Sequence, residues 1–200
     1  QLLNYCFIFR FFKDARQLPA SISLRWVKAG LRLGLLSSLA PFAIGALSAK
    51  GMGGSEAYQS AVYFFLHFQY NGWFQFVALG LFFKWLEMDG VNFDAKKAKR
   101  FYALFTIAVI PAYLLSLLGM SFGQVVWVPA AMAALLQILG LWAFYRTIDG
   151  STKSWFSTKN KWVRAFLWVA VGSFFLKYIL QFLSVFPPIQ EVVFSSRNLI

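Results

Sequence analysis

"YFFLHFQYNGWFQF", residues 63–76, decides how the chain is read. It carries the only histidine of the chain, His67, with Gln69, Tyr70 and Asn71 close behind, in a run otherwise dominated by aromatic and apolar residues. Apolar sequence continues on both sides, from "AYQSAVYFF" to "LFFKWL", so residues of about 57–86 read as one long helix. Crossing a bilayer takes about 20 predominantly apolar residues, and this run exceeds that. Period-2 alternation is absent, which argues against strands, including those of a lipid-facing barrel.

Composition separates a membrane span from the core helix of a soluble domain. Of the 200 residues 60% are hydrophobic and only 13% charged, and the mean hydropathy is +0.62. Soluble domains are nearer half apolar with about a quarter of their residues charged. The formal charge of +12, from 19 Lys and Arg against 7 Asp and Glu, raises the question of nucleic acid. The basic residues form no single patch, however. They cluster between apolar runs, the pattern of membrane topology and lipid headgroups, and no nucleic-acid partner is expected. Cys6 is alone, so no disulfide within the chain and no cysteine-based zinc or haem-attachment motif exists. The chain opens on Gln1, and both ends read as cut from a longer membrane protein.

Five runs qualify as spans, at about 26–48, 57–86, 100–120, 124–147 and 162–186. The loops between them alternate in charge. Arg10, Lys13, Arg16, Arg25, Lys28 and Arg32 precede or enter the first span, whereas only Lys50 lies in the glycine-rich "AKGMGGSE" turn after it. Lys84, Lys96, Lys97, Lys99 and Arg100 flank the next connection, and "SFGQ" after the third span has no charge. Arg146, Lys153, Lys159, Lys161 and Arg164 follow, and then "PPIQEVVFSSR" with Glu191 and Arg197. Positive residues mark the cytoplasmic side. Loops 10–25, 87–99 and 148–161 are therefore predicted to be cytoplasmic, as in a protein of the bacterial inner membrane. The predicted fold is all-α, a polytopic transmembrane bundle of about five full spans plus cut flanking helices. It is read as one membrane-embedded domain over 1–200, with the lipid bilayer and other membrane subunits as partners.

Polar groups inside the spans are the candidate functional residues. At 100° per residue, Gln59, Tyr63, His67, Tyr70 and Phe74 fall on one stripe of the second span, with Asn71 at its margin and Gln69 pointing elsewhere. His67 lies about 15 Å along the helix from its outer end, below the headgroups. A polar group there must find a partner, so the stripe is expected to face protein or a cavity. Three readings stay open for His67: a hydrogen bond to a neighbouring helix, a ligand to haem or a metal, and a proton relay. Lys177 is the only charge well inside a span, with Gln181 one turn further out; with Gln137 in the fourth span, these are the candidates for a transport or proton path. Pro41 and Pro111 predict kinks in the first and third spans. Gly72 predicts a close approach by a helix or a flat ligand.

"YFFLHFQYNGWF" resembles an early helix of the haem–copper oxidase catalytic subunits and of the related NnrS-type haem membrane proteins. The resemblance covers that helix and little else, although the closing "SSRNLI" looks like the entry to a further helix of the kind. It implies a haem cofactor with His67 as an axial ligand, Tyr63, Tyr70 and Asn71 orienting it, and an oxidase-like, electron-transfer or nitric-oxide-related role. Those families use several histidines on different helices, and only His67 matches here. Further ligands would have to lie outside residues 1–200, and the copper site has no counterpart. HExxH, GxSxG, P-loop and dinucleotide signatures are absent, so no soluble-type enzyme is implied. A transporter with a polar path along the second span and Lys177, and a non-catalytic membrane subunit, remain as alternatives.

The charge alternation generates a topological test. In a Cys6→Ser background, Gly54→Cys is expected to react with an impermeant maleimide added from outside. Lys97→Cys is expected to stay unlabelled, and its labelling would overturn the topology.

Overall fold

The computed structural model describes residues 2–122, 124–148, 150–189 and 192. Glu191, Arg197 and the closing "SSRNLI" lie outside the described residues, as does Gly123 of the uncharged turn. The described residues form helices and turns, with no strand among them. The chain forms two compact units, Gln1–Trp85 and Leu86–Ile200.

The first unit contains α1 (Leu2–Asp14), α2 (Ile22–Ser37), α3 (Ala40–Ala49), α4 (Glu56–Leu66), a π-helical segment (His67–Phe74) and most of α5 (Gln75–Met88). Ser21 opens α2 by accepting a hydrogen bond from the Leu24 N–H at 3.1 Å, which satisfies a donor that has no partner inside the helix. The helix pauses at Ser38 and Leu39 and restarts with Pro41 in the first turn of α3, where the missing proline N–H costs no helical bond. This is the interruption predicted at Pro41. The Tyr5 hydroxyl donates to Ser38 Oγ at 2.9 Å and ties α1 to the break.

Residues 56–88 run as one unbroken helical rod through α4, the π-helical segment and α5. This rod packs antiparallel on α2, and glycines set the distance. A Cβ added at Gly30 would lie 2.9 Å from Val77 Cγ2, and one at Gly34 would lie 3.2 Å from Trp73 Cγ. A Cβ at Gly72 would meet Leu33 Cβ at 2.8 Å, and one at Gly80 would meet Val27 Cγ2 at 2.6 Å. Gly30 and Gly34 are four apart in "GLRLG" and so share a helix face, the small-xxx-small spacing that lets membrane helices approach closely. Trp26 and Phe76, both fully buried, fill the space beside the glycines with rings 4.9 Å apart.

The second unit contains the rest of α5, then α6 (Ala95–Val109), a 3₁₀ segment (Pro111–Leu117), α7 (Gln124–Thr147), α8 (Gly150–Thr158) and α9 (Lys161–Leu183). Asp94 caps α6, accepting from the backbone N–H groups of Lys96 and Lys97. Its carboxyl is held below the ordinary aspartate value, chiefly by the Lys97 backbone hydrogen bond and then by the Lys97 side chain. The axis bends by 46° between Val109 and Pro111, as proline predicts. α7 returns antiparallel to α6. Gly140 lies against the Phe105 ring, where a Cβ would overlap it, and Phe101 lies 4.9 Å from Phe144. Phe174 and Tyr178 of α9 join this aromatic cluster, with Phe174 5.7 Å from Phe105 and Tyr178 5.0 Å from it. Below it, Asp89 accepts from Trp155 Nε1 of α8 and pairs with Lys159, both at 2.6 Å.

Among the described residues, three helices are long and apolar enough to cross a membrane: Ile22–Ala49, Val125–Thr147 and Lys161–Leu183. The bent pair Ala95–Val109 and Pro111–Leu117 makes a fourth if it is one span. The 56–88 rod, predicted as a fifth, has the length but not this degree of apolarity. The π-helical segment divides it, and Gln59, His67, Gln69, Asn71 and Gln75 dilute its apolar content.

The glycine contacts predict an asymmetric response to adding one methyl group. Gly80→Ala, which meets Val27 and the Ser23 carbonyl, is expected to lose about 1–3 kcal/mol by overpacking. Gly45→Ala, with nothing within 4 Å, is expected to hold or raise stability. Thermal unfolding of the two variants in detergent checks the difference, and equal behaviour would contradict the packing.

Candidate functional site

The polar cluster of the 56–88 rod lies on its π-helical segment. There the backbone departs from the α pattern: the Gln75 N–H donates to the carbonyl of Tyr70, five residues back, as well as to that of Gly72. Bonding from i to i+5 widens the turn, so each residue advances by less than in an α-helix. Single π-turns inside α-helices are uncommon and frequent at functional sites.

The wider turn changes the predicted stripe. His67 is 4% exposed and packs edge-on against Phe68 at 5.0 Å. Tyr70, however, is 59% exposed and Phe74 49%, and their rings pair with each other at 5.7 Å. Gln59 is exposed as well, and Tyr63 is half-buried. The five residues placed on one face by a uniform 100° step are therefore not one buried face. The structure brings together His67 and Asn71: Asn71 Nδ2 lies 3.1 Å from His67 Nδ1. When the amide donates, Nδ1 is the acceptor and the ring proton sits on Nε2. When the amide presents its oxygen, Nδ1 carries the proton and the ring lone pair lies on Nε2. The amide orientation thus sets what the imidazole can do.

Gln69 points to the other side of the rod, as expected, and meets α2. Ser37 Oγ lies 2.8 Å from Gln69 Oε1 and also 2.8 Å from the Gly34 carbonyl, so one hydroxyl links the polar cluster to the glycine-lined face. Gly72 admits a helix: Leu33 of α2 fills the approach that the sequence left open to either a helix or a ligand. Ser37, Leu33 and the Gly30–Gly34 pair are the neighbours of the site that the sequence reading missed. The "GLRLG" spacing was the signal that marks them.

The other candidates lie in the second unit. Lys177 is half-buried on α9, with its ammonium 4.9 Å from the centre of the Tyr178 ring, an arrangement that supports a cation in apolar surroundings. Gln181 is half-buried one turn further on, and its carbonyl accepts from Ser184 Oγ. Gln137 is 3% exposed on α7, three residues before Gly140, and its side-chain oxygen is buried without a hydrogen bond among the described residues. That oxygen makes no link to another helix among the described residues, while Gly140 beside it packs closely against Phe105 of α6. Among the described residues no group of three or more His, Cys, Asp or Glu is arranged to hold a metal ion. No family model, curated protein or solved structure matches the chain.

Removing the Ser37 hydroxyl leaves the Gln69 oxygen without that donor inside the packed face. Ser37→Ala is therefore expected to cost about 1–3 kcal/mol, and Ser37→Thr, which keeps the hydroxyl, less. Unfolding in detergent measures both, and a neutral Ser37→Ala would remove the bond from the account.

Proposed function

We propose that the chain is an integral membrane protein of five spans, with the 56–88 rod as the second. His67 is an axial ligand to haem iron in a respiratory or nitric-oxide-related, electron-transfer role, in a membrane of the bacterial inner type. One observation carries this reading: the single imidazole begins a π-helical segment with Nδ1 already engaged by Asn71. A ligating histidine has its second nitrogen fixed by a hydrogen bond, which sets the tautomer and the ring plane. In the structure Asn71 presents Nδ2 to Nδ1, so the amide would have to turn over and accept from Nδ1–H before the lone pair lay on Nε2, the nitrogen that would hold iron. The one imidazole of the chain would supply a single ligand to the iron. Haem supplies the redox chemistry when bound, and this chain's part is to hold the ring at a fixed angle and keep water from it. A ring only 4% exposed requires its neighbours to shift before iron reaches Nε2.

That tight cover, and Leu33 seated against Gly72, favour a second reading in which nothing has to move. There His67 and Asn71 only satisfy each other's polar groups within the rod, and the chain is a non-catalytic membrane subunit.

The absorption spectrum of the purified protein separates the two. The haem reading expects a Soret band that His67→Ala removes while membrane insertion is unchanged, and a haem affinity lowered about 10–100-fold in Asn71→Leu. Purified protein without iron or pyridine-extractable haem would end that reading and leave the second.

A further inference from the structure

We propose that the α6–α7 groove of the second unit binds the phosphate headgroup and first acyl carbons of an anionic glycerophospholipid. The groove, of about 420 Å³, is lined by Lys97, Arg100 and Leu104 of α6 and by Leu139, Trp142 and Arg146 of α7. That size is within the range of pockets that hold small organic ligands. The order of residues along each helix carries the assignment. α6 runs basic to apolar from Lys97 through Arg100 to Leu104, and α7 runs apolar to basic from Leu139 through Trp142 to Arg146. The helices are antiparallel, as the Phe105–Gly140 and Phe101–Phe144 contacts require, so the basic residues meet at one end and the apolar ones at the other. Seven residues of helix separate the two extremes, roughly 10 Å, about the drop from a phosphate to the upper acyl chain.

No carboxylate lines the groove. Asp94 pairs with Lys97 at 3.1 Å from outside it and offsets part of that charge. Arg100 makes no hydrogen bond or ion pair among the described residues, and Arg146 lies 5.8 Å over the Trp142 ring, which leaves its guanidinium edge to an oxyanion. Guanidinium groups hold phosphate oxygens in pairs. Indole belongs at the level of lipid headgroups, amphipathic ring between chain and water. A free phosphate would use the cations alone, whereas the apolar floor of Leu104 and Leu139 is matched only by a ligand with a chain. Basic grooves between spans on the cytoplasmic side are where anionic headgroups are held, and this inference rests on the membrane reading that places the 87–99 connection there.

Retention of dioleoylphosphatidylglycerol by the full chain tests it. The protein is purified from membranes, which settles integral insertion first and separately, and exchanged into nanodiscs of 4:1 phosphatidylcholine to phosphatidylglycerol. Native mass spectrometry then reads the lipid kept after delipidation. One phosphatidylglycerol per chain is expected on the wild type. Arg100→Gln/Arg146→Gln is expected to lose it at least tenfold, and Lys96→Gln/Lys99→Gln, two charges removed from the same end, to keep it. Leu104→Gln, with every cation intact, is expected to weaken retention too, and inorganic phosphate at millimolar concentration not to displace the lipid. Circular dichroism confirms that each variant is helical. Equal loss in both charge pairs would mean unspecific surface attraction, and displacement by inorganic phosphate would mean a free-anion site only. Either result, or retention by the double arginine variant, overturns the proposal.

Discussion

The rest of the first unit depends on the backbone-to-backbone approach of α2 to the 56–88 rod. Gly30, Gly34, Gly72 and Gly80 lie along this crossing with side chains of the opposite helix in the space a Cβ would take. In a bilayer, helices gain nothing by hiding apolar surface from one another, since lipid is equally apolar. What holds them is dispersion between closely fitted surfaces and the few hydrogen bonds that survive, and glycine permits both. With the backbones this close, Ser37 reaches Gln69, and Trp26 and Phe76 become fully buried.

The π-helical segment follows from the same crossing. Gln69, Gly72, Trp73, Phe76 and Gly80 must all meet α2, while His67 and Asn71 must satisfy each other on a different side of the rod. A wider turn at 67–74 redistributes the side chains between these directions, and Tyr70 and Phe74 are carried outward. Whether the chemistry that follows is iron ligation or only polar satisfaction, the ring that does it is buried and hydrogen-bonded before any partner arrives.

The sequence made the helices legible because apolar runs of span length, proline at 41 and 111, and charged connections each act locally. The interruption at Ser38–Leu39 and the 46° bend at Pro111 fall where proline placed them. That Asn71 lies one turn from His67 was legible too, but not that its amide nitrogen faces Nδ1. The stripe through Tyr70 and Phe74 was misjudged because a uniform 100° step hides a change of helix type, and a π-turn is selected by tertiary contacts that no window of sequence contains. The same is true of Gln137, whose buried oxygen could be placed on a helix but not in a hydrogen bond. The "GLRLG" pair carries its signal in the spacing of two glycines, with no polar group to mark it.

The central claim is that Gly34 faces Trp73 across the glycine-lined crossing, with the π-turn setting that register. In a Cys6→Ser background, the Gly34→Cys/Trp73→Cys pair tests it under mild oxidation, because a Cβ at Gly34 would lie 3.4 Å from Trp73 Cβ, close to the separation of about 3.5–4.5 Å that a disulfide spans. The account predicts rapid, near-complete crosslinking of this pair with helical content unchanged, and none for Gly34→Cys/Tyr70→Cys. Failure of the 34–73 pair to close, whatever the 34–70 pair does, would contradict it.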